Sequence, residues 1–212
     1  MKILFLGDSV TDAWRDKETN HFLLKYGFGY VSQVASRLFA EDPVGYEIVN
    51  RGISGNRIVD LYARIKSDVW NEKPDVLSIL CGVNDVWHEL DHQNGVDIVR
   101  FEKVYRMLIE DTLERLPNVK MMLVEPFLVC GLATKTRLEK FKEVYHYAKV
   151  VKKLAQEYGL PFLPLQEKMD ELYEKYGEDV HTLDGIHPRI SGASEIAELW
   201  VDFFKKNIVK EN

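Results

Sequence analysis

A serine near the amino terminus and an aspartate–histidine pair near the carboxyl terminus are the residues that could perform nucleophilic catalysis. Ser9 follows the apolar run Lys2–Leu6, and Asp184 precedes His187 by three positions. A serine hydroxyl becomes a useful nucleophile only when a neighbouring base accepts its proton. In a tight turn, a carboxylate can bind Nδ1 of a histidine three residues later and leave Nε2 free as that base. Together these residue types predict acyl transfer.

Each of these residues also has an ordinary structural interpretation. Ser9 stands where a strand would meet its following loop, and serine often caps a helix at such a position. Asp184 and His187 precede Pro188, and taken alone they fit a turn aspartate beside a surface histidine, because short Asp/His spacings are common. The segment Gly7-Asp8-Ser9-Val10-Thr11 does not match G-x-S-x-G, so the α/β-hydrolase fold is not predicted.

Acyl transfer also requires hydrogen-bond donors for the oxyanion, and three candidates are present. They are the backbone N–H of Ser9, the backbone N–H of Gly55 and the side-chain amide of Asn84. Gly55 lacks a side chain, so its backbone can approach a substrate closely. Each donor is typically worth about 2.7–4 kcal/mol in the transition state. Taken singly, Gly55 also fits a turn glycine, and Asn84 a turn residue or a helix cap.

The elements that must position these residues follow from the pattern of apolar residues. Short apolar runs, typical of strands covered on both faces, are Lys2–Leu6, Tyr46–Asn50, Asp75–Cys81, Val119–Glu125 and Pro161–Leu165. Segments with apolar residues at helical spacing are Tyr30–Phe39, Ile58–Trp70, Val96–Leu116, Leu138–Tyr158 and Gly192–Phe204. The alternation predicts one α/β domain over residues 1–212, with a five-stranded parallel sheet and helices on both faces.

The chemistry-bearing residues lie where such a sheet binds ligands. In open parallel sheets, ligands bind outside the carboxyl ends of the strands. Ser9, Gly55 and Asn84 each follow one of the first three predicted strands, and the Asp184–His187 segment precedes the last helix. The sequence therefore predicts that four distant segments meet at one edge of the sheet.

Four segments resemble the blocks of the SGNH, or GDSL-type, esterase family. They are Gly7-Asp8-Ser9, Gly55, Gly82-Val83-Asn84-Asp85 and Asp184-x-x-His187-Pro188. Their order and spacing agree with the family from residue 3 to about residue 205, although Val10 stands where the family usually has Leu. The resemblance implies a three-layer α/β/α, flavodoxin-like fold. It also implies that Ser9, Gly55, Asn84 and His187 are the functional positions and that Asp184 completes the triad.

Two longer segments point to a subgroup of that family. Val49–Asn56 and Gly82–Trp87 resemble the small single-domain carbohydrate acetylesterases that act on acetylated xylan fragments. We therefore expect a small-molecule ester as substrate, most readily an acetyl ester on a carbohydrate, and a reaction that needs no cofactor. A lysophospholipase or thioesterase acting on longer acyl chains is the first alternative. A catalytically silent carbohydrate-binding module is the second.

Four further residues are candidates for the substrate pocket. Trp14, Trp87 and Phe127 follow the first, third and fourth strands, where they could wall a pocket or equally pack at the sheet edge. Asp8 adjoins the nucleophile and is a weaker candidate for substrate binding.

One motif competes with the esterase interpretation. His88-Glu89-Leu90-Asp91-His92 matches the zinc protease pattern H-E-x-x-H. A zinc protease places both histidines on an amphipathic helix and supplies a third ligand downstream. The segment stands in a polar stretch between Trp87 and Asn94, so we predict a surface loop and no metal.

Composition excludes several classes of partner. The formal net charge is −6 and the basic residues are scattered, so neither nucleic acid nor an anionic membrane is expected to bind. Cys81 and Cys130 each end an apolar run, which predicts free thiols and a cytoplasmic location. The short apolar start of the chain, ended by Gly7-Asp8-Ser9, does not predict a secretion signal. Single-domain enzymes of this size often associate symmetrically, so a homo-oligomer is one expected state.

Overall fold

The apolar runs of the sequence form the strands of one parallel sheet. A computed structural model describes residues 1–18 and 24–209 of the chain. The strands are β1 (Lys2–Gly7), β2 (Glu47–Gly52), β3 (Val76–Leu80), β4 (Lys120–Val124) and β5 (Phe162–Leu163). They lie in the order β2-β1-β3-β4-β5, and every neighbouring pair is parallel.

Helices cover both faces of the sheet. They are α1 (Ser9–Asp12), α2 (Tyr30–Glu41), α3 (Ile58–Ala63), α4 (Val83–His92), α5 (Ile98–Arg115), α6 (Leu138–Phe141), α7 (Val144–Glu157), α8 (Gln166–Tyr176) and α9 (Ile190–Asn207). Helices α2 and α9 pack against each other, and α5 packs against α3 and α7. The three-layer α/β/α architecture predicted from the sequence is confirmed. Between residues 1–18 and 24–209, no helix is long and apolar enough to cross a membrane.

The register of the strands aligns the loops that carry the candidate site. Gly7 at the end of β1 pairs with Gly52 of β2 on one side and with Leu80 of β3 on the other. The chain passes from β1 to β2 in one direction and then returns to place β3 on the opposite side of β1. This reversal is the switch point at which open α/β sheets bind ligands. The loops after β1, β2 and β3 therefore leave the sheet at the same edge.

One prediction about local structure is wrong, and one helix was not predicted. The segment His88–His92 lies on helix α4 rather than in a surface loop. Val83, Val86 and Leu90 recur at spacings of three and four and pack on the core, while the polar residues between them form the outer face. The polar stretch concealed this short amphipathic helix. Helix α8 was also not predicted, although Met169 and Leu172 form its buried face.

The carboxyl-terminal helix α9 contributes a large part of the core. Trp200 is fully buried, its ring stacks on Phe204 at 5.0 Å, and it packs against Phe5 of β1 at 4.8 Å. Its indole N–H donates to Ser78 Oγ of β3 at 3.0 Å, which satisfies a buried polar atom on each side. Helix α9 therefore holds the segment that precedes it, Asp184–His187, against the sheet.

We predict that Trp200→Ala lowers the free energy of unfolding by about 3–5 kcal/mol, because it removes a buried ring and leaves a cavity. Equilibrium denaturation in urea measures this change. Trp14→Ala is the matched control, because the Trp14 side chain is 88% exposed and its removal should cost less than about 0.5 kcal/mol. Equal losses in the two variants would contradict the role assigned to Trp200.

Candidate active site

The serine, histidine and aspartate predicted from opposite ends of the chain form one hydrogen-bonded series. Ser9 Oγ lies 2.7 Å from His187 Nε2. His187 Nδ1 lies 2.7 Å from Asp184 Oδ2. A carboxylate that accepts the Nδ1 hydrogen leaves Nε2 as the basic nitrogen facing the hydroxyl. This is the geometry that nucleophilic catalysis by a serine requires.

The Asp184 carboxylate also builds the turn that presents the histidine. Its Oδ1 atom accepts the backbone N–H groups of Ile186 at 3.0 Å and of His187 at 2.8 Å. Its Oδ2 atom is then left for the imidazole. The N–H of Leu183 closes the turn by donating to the His187 carbonyl at 2.7 Å. One side chain therefore fixes both the backbone and the ring of the histidine.

The loop after β4 holds this turn from outside. The N–H of Val129 donates to the Gly185 carbonyl at 2.9 Å, and the N–H of Ala133 donates to the Asp184 carbonyl at 3.1 Å. Gly185 has a φ of +98°, and a Cβ atom there would lie 2.4 Å from Val129 O and from Thr134 Oγ1. Only glycine fits this contact, so the close approach of the two loops depends on Gly185.

Ser9 is the first residue of the short helix α1, and its neighbour Asp8 is the cap. Asp8 Oδ1 accepts the N–H of Val10 at 3.0 Å. The N-cap is therefore Asp8 and not Ser9, whose hydroxyl is free to face the imidazole. The Asp8 side chain is buried, with 2% of the residue exposed, so the prediction that it binds substrate is wrong. The burial follows from its capping bond inside the β1–α1 junction.

Two of the candidate oxyanion donors, Gly55 in the loop after β2 and Asn84 in the first turn of α4, lie on segments that are tied together. Asn84 Nδ2 donates to the carbonyl of Asn56 at 3.1 Å, which places the amide beside the loop that carries Gly55. Asp85 accepts the N–H of Ile58 at 3.0 Å and so fixes the start of α3. Gly55 has a φ of +82°, a conformation that favours glycine. In the part of the chain that the structure describes, its N–H donates to no protein acceptor.

Two residues that sequence reasoning missed, Asp12 and Arg64, connect the loop after β2 to the segment that carries Ser9. Asp12 Oδ2 accepts the N–H of Ser54 at 2.9 Å and its hydroxyl at 2.7 Å, so helix α1 grips the β2 loop. Arg64 donates to the carbonyl of Gly7 at 3.1 Å and to Asn56 Oδ1 at 2.7 Å. Neither residue carries a sequence signal, because the partners that matter are distant in the chain. Ser54 is 42 positions from Asp12, and Gly7 is 57 positions from Arg64.

The charges of the site favour a histidine that titrates above its ordinary range. Burial lowers the pKa of His187, but the hydrogen bond and charge of Asp184, with the charge of Asp8, outweigh burial and raise that pKa. Burial raises the pKa of Asp184, but its bonds to the side chain and backbone of His187 bring that pKa below its ordinary value. Burial raises the pKa of Asp8 to about 6, against the opposing Val10 N–H and the His187 charge.

Ser9 and His187 open into a cleft of about 1030 Å³. Trp14 and Phe28 line this cleft and are 88% and 66% exposed. Trp14 has a φ of +61°. Phe127, for which the sequence left open both a pocket wall and packing at the sheet edge, is 2% exposed and lies in the core.

The H-E-x-x-H histidines do not meet a third ligand in the described residues. His88 and His92 lie one turn apart on α4, with ring centroids 6.0 Å from each other. In residues 1–18 and 24–209, no group of three or more His, Cys, Asp or Glu side chains could hold a metal ion. His88 instead lies beside the loop that carries Gly55, since a Cβ atom on Gly55 would be 3.8 Å from His88 Nε2. Cys81 and Cys130 are free thiols.

Comparison with known proteins places the chain in a family. Residues 5–193 match the model of the GDSL-like Lipase/Acylhydrolase family. The chain is 34% identical to an acetylxylan esterase from Geobacillus stearothermophilus over 207 residues, covering 94% of this chain and 92% of that protein.

Solved structures give the same result. The crystal structure of a protein described as a GDSL-like lipase from Parabacteroides merdae superimposes with a TM-score of 0.89 at 35% identity, covering 95% of this chain and 94% of that one. A catalytic mutant of the Geobacillus stearothermophilus acetylxylan esterase superimposes with a TM-score of 0.84 at 32% identity, covering 95% and 93%. The resemblance read from the four sequence blocks is confirmed. The chain belongs to the GDSL-like lipase/acylhydrolase family and is a carboxylic ester hydrolase.

Proposed function

We propose that this protein removes acetyl groups from carbohydrates through an acetyl-enzyme formed on Ser9. The observation that carries the proposal is the unbroken series Ser9–His187–Asp184, with 2.7 Å at each step, at the mouth of the cleft. The similarity to an acetylxylan esterase along nearly the whole chain supports acetyl esters of carbohydrates as the substrate class.

The reaction proceeds in two steps. Ser9 Oγ attacks the ester carbonyl carbon while His187 Nε2 takes the hydroxyl proton. The oxyanion is bound by the N–H groups of Ser9 and Gly55 and by the Asn84 amide. His187 returns the proton to the leaving sugar hydroxyl, and the C–O bond breaks to leave acetyl-Ser9. His187 then deprotonates a water that attacks this ester, and acetate leaves while Ser9 regains its proton. Asp184 remains ionised throughout and stabilises the imidazolium.

The cleft offers room for the sugar as well as for the acetyl group. Its volume of about 1030 Å³ far exceeds what an acetyl group fills. Trp14 and Phe28 present exposed rings on its wall, and Gln33, Ser191 and Ser194 add polar groups. Amphipathic aromatic rings next to hydrogen-bonding side chains suit a sugar ring, which has an apolar face and polar edges.

A longer acyl chain is the second candidate for the same cleft. Val180, Leu183 and Ile190 line it and are 41%, 50% and 81% exposed, which gives a wall that is apolar in part. Apolar surface of this kind would also bind the tail of a fatty acyl ester or thioester. Rates with acetyl and octanoyl esters of the same alcohol distinguish the two functions. An acetyl-carbohydrate esterase should prefer the acetyl ester.

The nucleophile is tested by covalent labelling. A fluorophosphonate should modify Ser9, and Ser9→Ala should abolish both labelling and hydrolysis of p-nitrophenyl acetate, because no other hydroxyl faces Nε2 within the described chain. Mass spectrometry of the labelled peptide identifies the serine. Ser191→Ala is the matched control, since Ser191 lines the same cleft but bonds to the Val180 carbonyl. Full turnover by Ser9→Ala would remove Ser9 from the mechanism.

The pH profile tests the charges around the base. His187 acts only when neutral, so kcat/KM should fall as the pH drops through its raised pKa. Asp8→Asn retains a capping side chain but removes a negative charge that raises this pKa. The midpoint of the acidic limb should therefore move to lower pH in Asp8→Asn. An unchanged midpoint would show that Asp8 does not act on His187, and Glu139→Gln, at an exposed site on α6, is the control for loss of one charge.

The sugar-binding role of the cleft wall is tested with Trp14. Trp14→Ala should raise KM for an acetylated xylo-oligosaccharide about tenfold, on the scale of one lost aromatic contact, and leave p-nitrophenyl acetate kinetics nearly unchanged. Tyr176→Ala is the control, because Tyr176 is 49% exposed on α8 and does not line the cleft. Equal KM changes on both substrates would count against sugar binding at Trp14.

A further inference from the structure

The indole of Trp87 lies beside the catalytic histidine and outside the substrate cleft. The ring centroids of Trp87 and His187 are 5.9 Å apart, and the ring planes are inclined by 47°. Trp87 is only partly exposed, and the described residues that line the cleft do not include it. The sequence suggested that this side chain could wall a pocket. Its position instead assigns it to the histidine.

Asp91 and Phe141 contact the Trp87 ring and fix its orientation, and Arg137 contacts both of them. Its Nε1–H donates to Asp91 Oδ2 at 2.7 Å, one turn further along α4. Asp91 Oδ1 accepts from Arg137 at 2.5 Å, so the acceptor is itself held across to the loop after β4. Phe141 meets the indole edge to face at 5.5 Å, and Arg137 lies over the Phe141 ring at 5.4 Å. An indole held in this way cannot turn away without breaking its hydrogen bond to Asp91 and its ring contact with Phe141.

The histidine gains from such a neighbour in two ways. His187 is held at Nδ1 by Asp184 and faces Ser9 with Nε2, but its side chain is still 33% exposed, so its flank needs packing to prevent rotation. During the reaction the imidazole becomes a cation. The electron-rich face of tryptophan attracts a cation within about 6 Å of the ring centroid.

We propose that Trp87 is a positioning residue that packs the flank of His187, keeps Nε2 in line with Ser9 and stabilises the imidazolium. The proposal rests on the triad proposed above, because it requires His187 to be the base. Asp91 and Arg137 act one step further out, by holding the indole.

The charged groups around His187 define what the indole adds. Asp184 faces the imidazole from its own turn, and Asp8 acts on it from the β1–α1 junction. Asp91 and Arg137 lie behind Trp87 and pair with each other. Trp87 itself does not titrate, so removing it changes the histidine without removing a charge. A change in the acidic limb in a Trp87 variant therefore reports the indole and not a lost carboxylate.

The experiment compares Trp87→Leu with Trp87→Phe on p-nitrophenyl acetate across pH. Trp87→Leu should lower kcat about tenfold with little change in KM, because the loss falls on the protonated transition state. The midpoint of its acidic limb should fall by about half a pH unit, since a cation is less favoured without the ring. Trp87→Phe keeps an aromatic face and should recover most of both properties. Asp91→Ala, at an exposed position, should lower kcat by a smaller factor by freeing the indole, and only kcat is compared for this variant because it also removes a negative charge.

Trp70→Leu is the matched control for general packing. Trp70 is also partly exposed, its Nε1–H donates to Thr112 Oγ1 at 3.2 Å and Arg115 lies over its ring at 5.1 Å, but it contacts none of the triad residues. Its variant should lose thermal stability without any change in the acidic limb.

The outcomes separate this inference from the proposed function. If Trp87→Leu keeps the wild-type limb and kcat, and Asp91→Ala keeps the wild-type kcat, the positioning role is wrong, even when Ser9→Ala is inactive. If Trp87→Leu loses stability as Trp70→Leu does, with no change in the limb, the residue is structural only and the inference is also overturned. If Ser9→Ala keeps full activity, the triad itself fails. Should Trp87→Leu not fold, Trp87→Met, which keeps the bulk of the side chain without an aromatic face or a charge, is judged by the same limb and kcat.

Discussion

The hydrogen bond between Ser9 and His187 joins residues 178 positions apart, and the functional edge of the molecule is organised around it. A bond of about 2.7 Å between such distant residues requires both backbones to be held to within a fraction of an ångström. On one side this is done by β1 and the Asp8 cap. On the other side, the His187 backbone is held by the Asp184 turn, which precedes α9 and is hydrogen-bonded to the loop after β4.

Buried polar side chains supply much of this precision. Asp12, Asn50, Asn84 and Asp85 are nearly inaccessible, and each bonds to the backbone of a segment 27 or more positions away along the chain. A buried polar group without a partner destabilises the fold, so each of these side chains admits few loop positions. Hydrophobic packing alone tolerates small shifts, whereas these bonds specify where the loops must lie.

At this edge of the sheet, the cleft opens on one side of His187 and Trp87 contacts the imidazole from another. The cleft with its exposed aromatic residues opens next to Ser9, while Trp87 packs on the imidazole from α4. The buried Asp8 and Asp184 supply negative charge toward the imidazole. In the proposed mechanism, substrate binding and support of the base therefore fall to different side chains, which can be altered independently.

The spacing of apolar residues was sufficient to predict the elements whose residues are buried along their whole length. The five strands agree with the structure to within a few residues, because their patterns reflect direct contact with the core. Among the helices, the α-helix within the predicted Ile58–Trp70 ends at Ala63, and the predicted Leu138–Tyr158 is divided into α6 and α7. Helix α4 was missed because its single apolar face consists of only Val83, Val86 and Leu90 in a mostly polar ten-residue segment, which is too weak a periodic signal. The burial of Asp8 and Phe127 could not be predicted from the sequence, because the direction of a side chain after a strand depends on how the loop turns.

By itself, the sequence determined the fold class and the family, and it predicted the residues proposed to carry the chemistry, because these follow from local patterns and from four short blocks. Tertiary structure alone decided which loops meet and how closely. The contacts of Asp12 with Ser54, of Gly185 with the β4 loop and of Trp87 with His187 are examples. They join segments far apart in the chain, and no local preference of either segment specifies them. Only the packing of helices on a twisted sheet brings them together.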